Sequence, residues 1–389
     1  MVTPSREQPR FTGALANENR LKLGTFSTNL EYGGAITTLP GTLRANWEQV
    51  KNVAQMADRM GLEAIVPVAR WRGYGGKTNF SGPSFDTFCW AAGLAMATEN
   101  AFVFSTVHVP TIHPIVAAKQ LTTVDHISGG RSVLNVVGGW FRPELEMFGP
   151  NYFLEHDRRY DLAEEFTKVL INLWTCTEEF DFEGEFFKIK RGFSEPKPFQ
   201  RPRPPIMNAG GSDRGRRFAA EFADMLYIHV KDDSDILSAK AQVDQIKTLA
   251  REFNRTVQVW TQCYCVCRDT EKEARDYWNY YVHELGDYEA ADNLMHYIGL
   301  ESAVLGKDWE RARDRFISGW GGVELVGTPE QIVERLSLIA ETGCDGTLLM
   351  FPIWEEGLAQ FRDKVMPLLE QAGLRKPYVP PSRSAAARS

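Results

Sequence analysis

The chain has 389 residues, 43% of them apolar and 24% charged, with a net charge of −7. That length supports one large α/β domain or two smaller ones. The acidic balance, with no Lys/Arg-rich run before the tail, argues against a nucleic-acid partner. The absence of a bilayer-length apolar run, together with a polar N-terminus lacking a secretory pattern, argues against a membrane partner, so a cytoplasmic location is expected.

Residues 1–20 are polar and irregular and read as an N-terminal arm. Eight strand-like runs follow: LKLGTFST, AIVPVA, FVFSTVHV, SVLNVVG, PIMNAG, MLYIHV, VQVWTQCYCVC and GTLLMFP. Helical patterns separate most of them. Over 158–174, Leu162, Phe166, Val169, Leu170 and Leu173 fall on one face. Thr328 reads as an N-cap, with Pro329 first in the helix and Gln331 at the capping-box position. The alternation predicts an α/β fold, a closed (β/α)₈ TIM barrel with insertions at its C-terminal face; a doubly wound open sheet is the alternative. Two stretches are too long for barrel linkers. FDFEGEFFKIKRGF, within 175–200, reads as a hairpin, and 284–326 reads as helix plus loop. Long insertions at a barrel mouth often act as lids. A single domain over 21–374 is expected, with a tail over 375–389.

The chemistry concentrates in LNVVGGWFRPELEMFG at 134–149. A β-branched run ends in Gly138 and Gly139, followed by Trp140, Phe141 and a short helix carrying Glu144. This reads as a barrel strand delivering its C-terminal end to a pocket, with glycines that let backbone approach a flat ligand. Downstream, AGGSDRG opens a helix after the fifth strand. Ser212 beside Gly211 either caps an ordinary helix or helps bind an anion at its N-terminus. Arg159 and Tyr160 lie near another helix start, where a guanidinium forms surface ion pairs or forks a phosphate. Asn135 is an amide in an apolar run, either a structural hydrogen-bonder or a donor aimed at a ligand. His108 and His113 lie on the third strand and its following loop, the catalytic face of a barrel, where either could donate a proton.

Cys263, Cys265 and Cys267 alternate along one strand. They admit a metal reading, but their period of two fits one face of a buried strand better. The chain has no H-x-x-x-H or H-E-x-x-H arrangement and no nucleophile-elbow signature, so no metal and no serine-hydrolase site is expected.

Over about residues 20–373 the sequence resembles the bacterial luciferase-like flavin-dependent monooxygenases, nearest the pyrimidine monooxygenase and dimethyl sulfone monooxygenase branch. The carrying motifs are RWRGYGGKTNF, KQLTTVDHISGGRSVLNVVGGWFRPELEMFG, LEHDRRYDLAEEF, NAGGSDRG and LVGTPEQIVERL. The resemblance implies a two-component monooxygenase that takes FMNH₂ from a separate NAD(P)H-dependent flavin reductase. It would use O₂, through a flavin peroxide, to oxygenate a small organic substrate such as a sulfone, a sulfonate, a pyrimidine-like ring or an electron-poor or halogenated aromatic. A homo-oligomer, dimer or tetramer, is expected. The alternatives are a deazaflavin-dependent oxidoreductase and a non-catalytic flavin-binding protein.

Transferred residue by residue, the resemblance assigns FMN contacts to Ala69, Arg70, Asn135, Glu144, Arg159, Tyr160, Gly211 and Ser212. It also matches Thr106 to an oxygen-pocket threonine. Thr106, Asn135 and His108 are the expected catalytic set. Trp71, Tyr74, Trp140, Phe141 and Trp320, in loops expected near the mouth, would line an aromatic substrate pocket.

Overall fold

The computed structural model describes residues 8–230, 235–300 and 308–380. Its strands are β1 (Lys22–Phe26), β2 (Ala64–Val66), β3 (Phe102–His108), β4 (Ser132–Val137), β5 (Phe180–Glu183), β6 (Lys188–Gly192), β7 (Ile206–Asn208), β8 (Met225–Tyr227), β9 (Gln258–Cys267), β10 (Val323–Gly327) and β11 (Gly346–Met350). The eight apolar runs supply β1, β2, β3, β4, β7, β8, β9 and β11. These close in that order into a parallel barrel, β11 returning to β1. Strands covered on both faces need apolar residues at successive positions, which is why these segments read as near-continuous apolar runs.

The helices include α1 (Trp47–Arg59), α2 (Thr87–Ala97), α3 (Pro114–Ser128), α4 (Arg142–Leu145), α5 (His156–Thr175), α6 (Asp213–Phe222), α7 (Ala239–Glu252), α8 (Glu271–Asn279) and α9 (Tyr288–Tyr297). Helix α5 turns its Leu162–Phe166–Val169–Leu170–Leu173 stripe onto the barrel wall. Helix Pro329–Glu341 starts in a full capping box, with Thr328 accepting from the Gln331 amide and Gln331 accepting from the Thr328 amide. Among the described residues no helix is long and apolar enough to cross a membrane.

Two excursions depart from the barrel rhythm. The FDFEGEFFKIKRGF stretch forms the antiparallel β5–β6 hairpin. It is rooted in the helix-to-strand connection after α5, and its tip climbs beside that helix, where Glu165 accepts from the amides of Glu185, Phe186 and Phe187. The second excursion spans 268–328, with the 284–326 stretch inside it. It contains α8, α9 and helix Asp308–Gly319, and it ends in β10, a strand absent from the sequence reading. Strand β8 pairs only with Gln258–Trp260 of β9, and β10 takes up the same edge higher along, pairing in parallel with Cys263–Cys267. The excursion packs on the loops after β1 and β2 through a cluster that includes Ile36, Tyr74, Phe80, Tyr281, Leu294 and Ile317. Cys263, Cys265 and Cys267 point together into the layer between barrel and helices, where burial pushes the Cys263 thiol up to about 12.

The barrel lumen is filled by Val66, Phe102, Phe104, Met207, Trp260 and Leu348, and the turn Gly13–Ala16 inserts Leu15 beneath them. The segment around Asn17–Asn19 and the residue Arg375 are tied to this end by one carboxylate. Glu63, fully buried, accepts from the Leu23 amide at 2.7 Å, from Arg375 Nη1 at 2.8 Å, and from Asn17 and Asn19 at 2.7 and 2.6 Å. Arg375 is therefore a buried clamp at the start of the C-terminal tail. Removing one partner of such a pair strands the other charge. Arg375→Ala should cost about 3–5 kcal/mol in urea unfolding. A loss below about 1 kcal/mol would place the pair in the weak class of exposed ion pairs.

Candidate functional site

A cavity of about 760 Å³ opens at the C-terminal ends of the barrel strands. Its floor and walls are built by strand ends, which is where a parallel barrel leaves side chains and loop amides free to meet a ligand.

At one end stand Arg159, Tyr160, Gly210, Gly211 and Ser212. Asn208 shapes this corner, donating to Val136 O at 2.6 Å and accepting from the Gly210 amide at 2.8 Å. Gly210 lies against Gly215, where a Cβ would sit 2.7 Å from the Gly215 Cα, whereas a Cβ on Gly211 would meet no described atom within 4 Å. Ser212 caps α6 by accepting from the Gly215 amide at 3.1 Å. Burial pushes the Tyr160 phenol up, against the pull of its hydrogen bond with Ser212 and the nearby charges of Arg159 and Arg214. Arg159 donates through Nη1 to Gly139 O at 2.6 Å and lies over the Phe153 ring, and its Nε has no hydrogen-bond partner among the described residues. Free amides at a helix start beside an under-used guanidinium make an anion site.

In the middle, Thr106 and Asn135 are register partners on β3 and β4. The Thr106 hydroxyl donates to Pro67 O at 2.7 Å, so it can only accept from Asn135 Nδ2, which lies 3.3 Å away. That fixes the amide orientation. Asn135 Oδ1 is buried with no partner among the described residues. The threonine thus acts here as the anchor of the amide.

At the rim, Glu144 is fully buried. Its carboxylate meets Arg70 Nη1 at 3.0 Å, His108 Nδ1 at 2.7 Å and the Trp71 amide at 3.3 Å. Burial alone would raise this carboxyl, but the His108 and Arg70 contacts and the Trp71 amide hold it below its ordinary 4.5. The Arg70 guanidinium lies 5.3, 5.1 and 5.5 Å from the rings of Tyr74, Trp140 and Phe141.

The structure brings Ala69, Arg70, Thr106, His108, Asn135, Arg159, Tyr160, Gly211, Ser212, Trp140 and Trp320 to the cavity wall. Glu144 does not reach it, because its oxygens are turned to Arg70, His108 and Trp71. Among the aromatics expected around substrate, Trp71, Tyr74 and Phe141 do not line this cavity; with Tyr297 they line a neighbouring one of about 520 Å³, where Tyr74 stacks on Trp140. His113 accepts from the Ile115 amide as the cap of α3 and also lies off the wall. The sequence reading passed over Tyr227 and His229, whose alternation at the end of MLYIHV turns both toward the cavity, and Tyr297 at the end of α9.

Fold and cavity define a TIM-barrel enzyme with an anion corner, a buried amide and an aromatic rim. The family model described as luciferase-like monooxygenase matches residues 22–346. An FMNH₂-dependent dimethylsulfone monooxygenase of Pseudomonas putida is 31% identical over 337 residues, covering 84% of this chain and 90% of the relative. The pyrimidine monooxygenase RutA of Acinetobacter baylyi is 29% identical, covering 90% and 95%. The crystal structure of DmoA from Hyphomicrobium sulfonivorans superposes with a TM-score of 0.81 at 22% identity, covering 93% of this chain and 90% of that one. The chain belongs to the luciferase-like monooxygenase family and is a flavin-dependent monooxygenase.

The depressed Glu144 carboxyl has a measurable consequence. A group held lower in the folded state contributes stability above its unfolded value, and that contribution is lost as pH falls through the folded one. Glu144→Gln should therefore be less stable than wild type at neutral pH, and the gap should close as pH drops below about 4.5. A gap independent of pH in chemical unfolding would show that the charge itself is not what holds the rim.

Proposed function

We propose that this chain binds FMNH₂ delivered by a separate NAD(P)H-dependent reductase and oxygenates a small organic substrate. The observation that carries the reading is one cavity with an anion corner at Gly211–Ser212 and an orphaned amide at Asn135. These residues fit FMN. Ser212, the Gly211 backbone and Arg159 would hold the phosphate, while Asn135, Ala69 and Arg70 would face the ring. Reduced FMN supplies the electrons that activate O₂. Asn135, anchored by Thr106 through one Nδ2 hydrogen, would offer its second Nδ2 hydrogen where charge develops on oxygen and its Oδ1 to an N–H of the ring, and such pre-set groups need no rearrangement during reaction. Trp140, Trp320 and Tyr227 supply apolar surface that excludes water. The named substrates of the relatives make sulfones and pyrimidines the first compounds to try, with sulfonates and halogenated aromatics next.

Anaerobic titration with reduced and oxidised FMN, followed by a coupled screen with a flavin reductase, NADH and O₂, tests the reading. FMNH₂ should bind more tightly than FMN. Equal affinity with no turnover would favour a flavin-storage protein, and preference for a deazaflavin would favour hydride transfer. Within that titration, Arg159→Ala should weaken FMNH₂ binding by about 1–3 kcal/mol and Ser212→Ala by less, with riboflavin nearly indifferent to both. An equal loss for riboflavin would remove the phosphate assignment.

Thr106→Val keeps the shape but removes the oxygen that accepts from Asn135. It should bind FMNH₂ normally, lose product and divert NADH consumption to H₂O₂. The cost should be on the order of 2.7–4 kcal/mol in barrier stabilisation. Coupled turnover at the wild-type rate would leave Thr106 with a packing role.

A further inference from the structure

A second cavity, of about 370 Å³, lies beside the first. The two share Ala69, Arg70, Thr106 and His108, so these side chains form the partition between them. The rest of the second wall comes from the loop before α2, from the start of α2, from the end of β3 and the turn after it, and from Gln120 within α3. Its polar members are Ser84, Asp86, Thr87, Thr111 and Gln120. Asp86 is exposed, so this side opens toward solvent. The walls also hold polar atoms with unmet needs: Gln120 Oε1 and Arg70 Nε are buried and have no hydrogen-bond partner among the described residues. Buried polar groups are almost always satisfied by protein or by water. The space exceeds many times the roughly 30 Å³ that one water occupies, and the lining offers each water several partners.

We propose that this cavity is a hydrated antechamber, and that the proton consumed in oxygenation passes from it to the active cavity through His108. The inference rests on the monooxygenase reading. Placing one atom of O₂ on the substrate S sends the other to water. With reduced FMN bound as its anion, the balance is S + O₂ + FMNH⁻ + H⁺ → SO + FMN + H₂O. One proton must therefore enter a pocket whose main walls exclude water. His108 stands in the partition with Nδ1 held 2.7 Å from the Glu144 carboxylate. That leaves Nε2 to accept a proton from antechamber water and release it toward the reacting oxygen, while Glu144 steadies the imidazolium between the two events. The same nitrogen accepts and then donates in the Ser-His-Asp arrangement, with a carboxylate on the other side of the ring. The charged groups around this histidine are Glu144, Arg70 behind that carboxylate and Asp86 at the solvent end. The arrangement separates two needs, a dry chamber for oxygen chemistry and a wet one for the proton.

Two measurements test this. The first needs no cofactor. Thr87 is buried yet lines the antechamber. In Thr87→Cys, a small charged thiosulfonate should label the new thiol within about a hundredfold of the rate at Cys89, an exposed native thiol that serves as internal reference. A folded Thr87→Cys variant whose introduced thiol stays inert would mean a dry cavity and overturn the proposal. The second uses the loaded enzyme. Gln120→Leu and, on a different segment, Thr111→Val should lower kcat by about ten- to a hundredfold, the lower range of a general-acid contribution. They should also enlarge the solvent deuterium isotope effect while leaving the FMNH₂ dissociation constant and the substrate KM unchanged. Wild-type kcat and isotope effect in both variants would overturn it. Failure of FMNH₂ binding in wild type would instead strike the function reading, because the labelling result does not depend on it.

Discussion

The site depends on one buried carboxylate. Glu144 comes from the short helix after β4, Arg70 follows β2, and His108 ends β3. Three barrel units are thus fastened at their C-terminal ends, where the β3–β4 ladder stops at His108 and Val137. A carboxylate this deep is tolerated only with its charge matched and its lone pairs used. Arg70 and the Trp71 amide bond Oε2, and His108 Nδ1 stands 2.7 Å from Oε1, so the charge is matched on both oxygens. The Arg70 guanidinium is in turn caged by Tyr74, Trp140 and Phe141, so charge pairing and aromatic packing position the same group.

Around that point the cavity divides its labour by chemistry. The anion corner relies on backbone: a glycine with open space beside it, a serine cap and the first amides of α6. The centre relies on a forced hydrogen-bond direction, since the Pro67 carbonyl claims the Thr106 proton and leaves Asn135 one way to turn. The opposite end of the barrel obeys another rule. There Glu63 and Arg375 bind the arm, β1 and the tail into one structural knot, set apart from the ligand cavity.

Much of this was legible in the chain because a parallel barrel imposes a plain pattern. Strands covered on both faces are largely apolar at successive positions, and the segments that become β3 and β4 show it directly. Pairing Thr106 with Asn135 needed only neighbouring strands and a guess at register. Other features were hidden. The surroundings of Glu144 were not legible, because nothing local reveals that Arg70 and His108 meet its carboxylate from distant parts of the chain. That Phe141, Tyr74 and Trp71 line a cavity beside the main one, and not the main one itself, was equally hidden. β10 was missed because VELVG is short and carries Glu324, which the structure pairs with Arg275 beside the sheet. Tyr227 and His229 could have been found by applying the alternation rule to the end of the sixth barrel strand.

Strand β10 also guards the protein against sticking to itself. Because β8 is short, the upper half of β9 would present unpaired amides and carbonyls along Cys263–Cys267, a run of buried side chains. An apolar strand with an open edge is a template for aggregation. By laying its own last strand on that edge, the excursion closes the sheet it grew from. Shortening it to a minimal barrel loop would therefore uncover adhesive backbone as well as the mouth of the cavity.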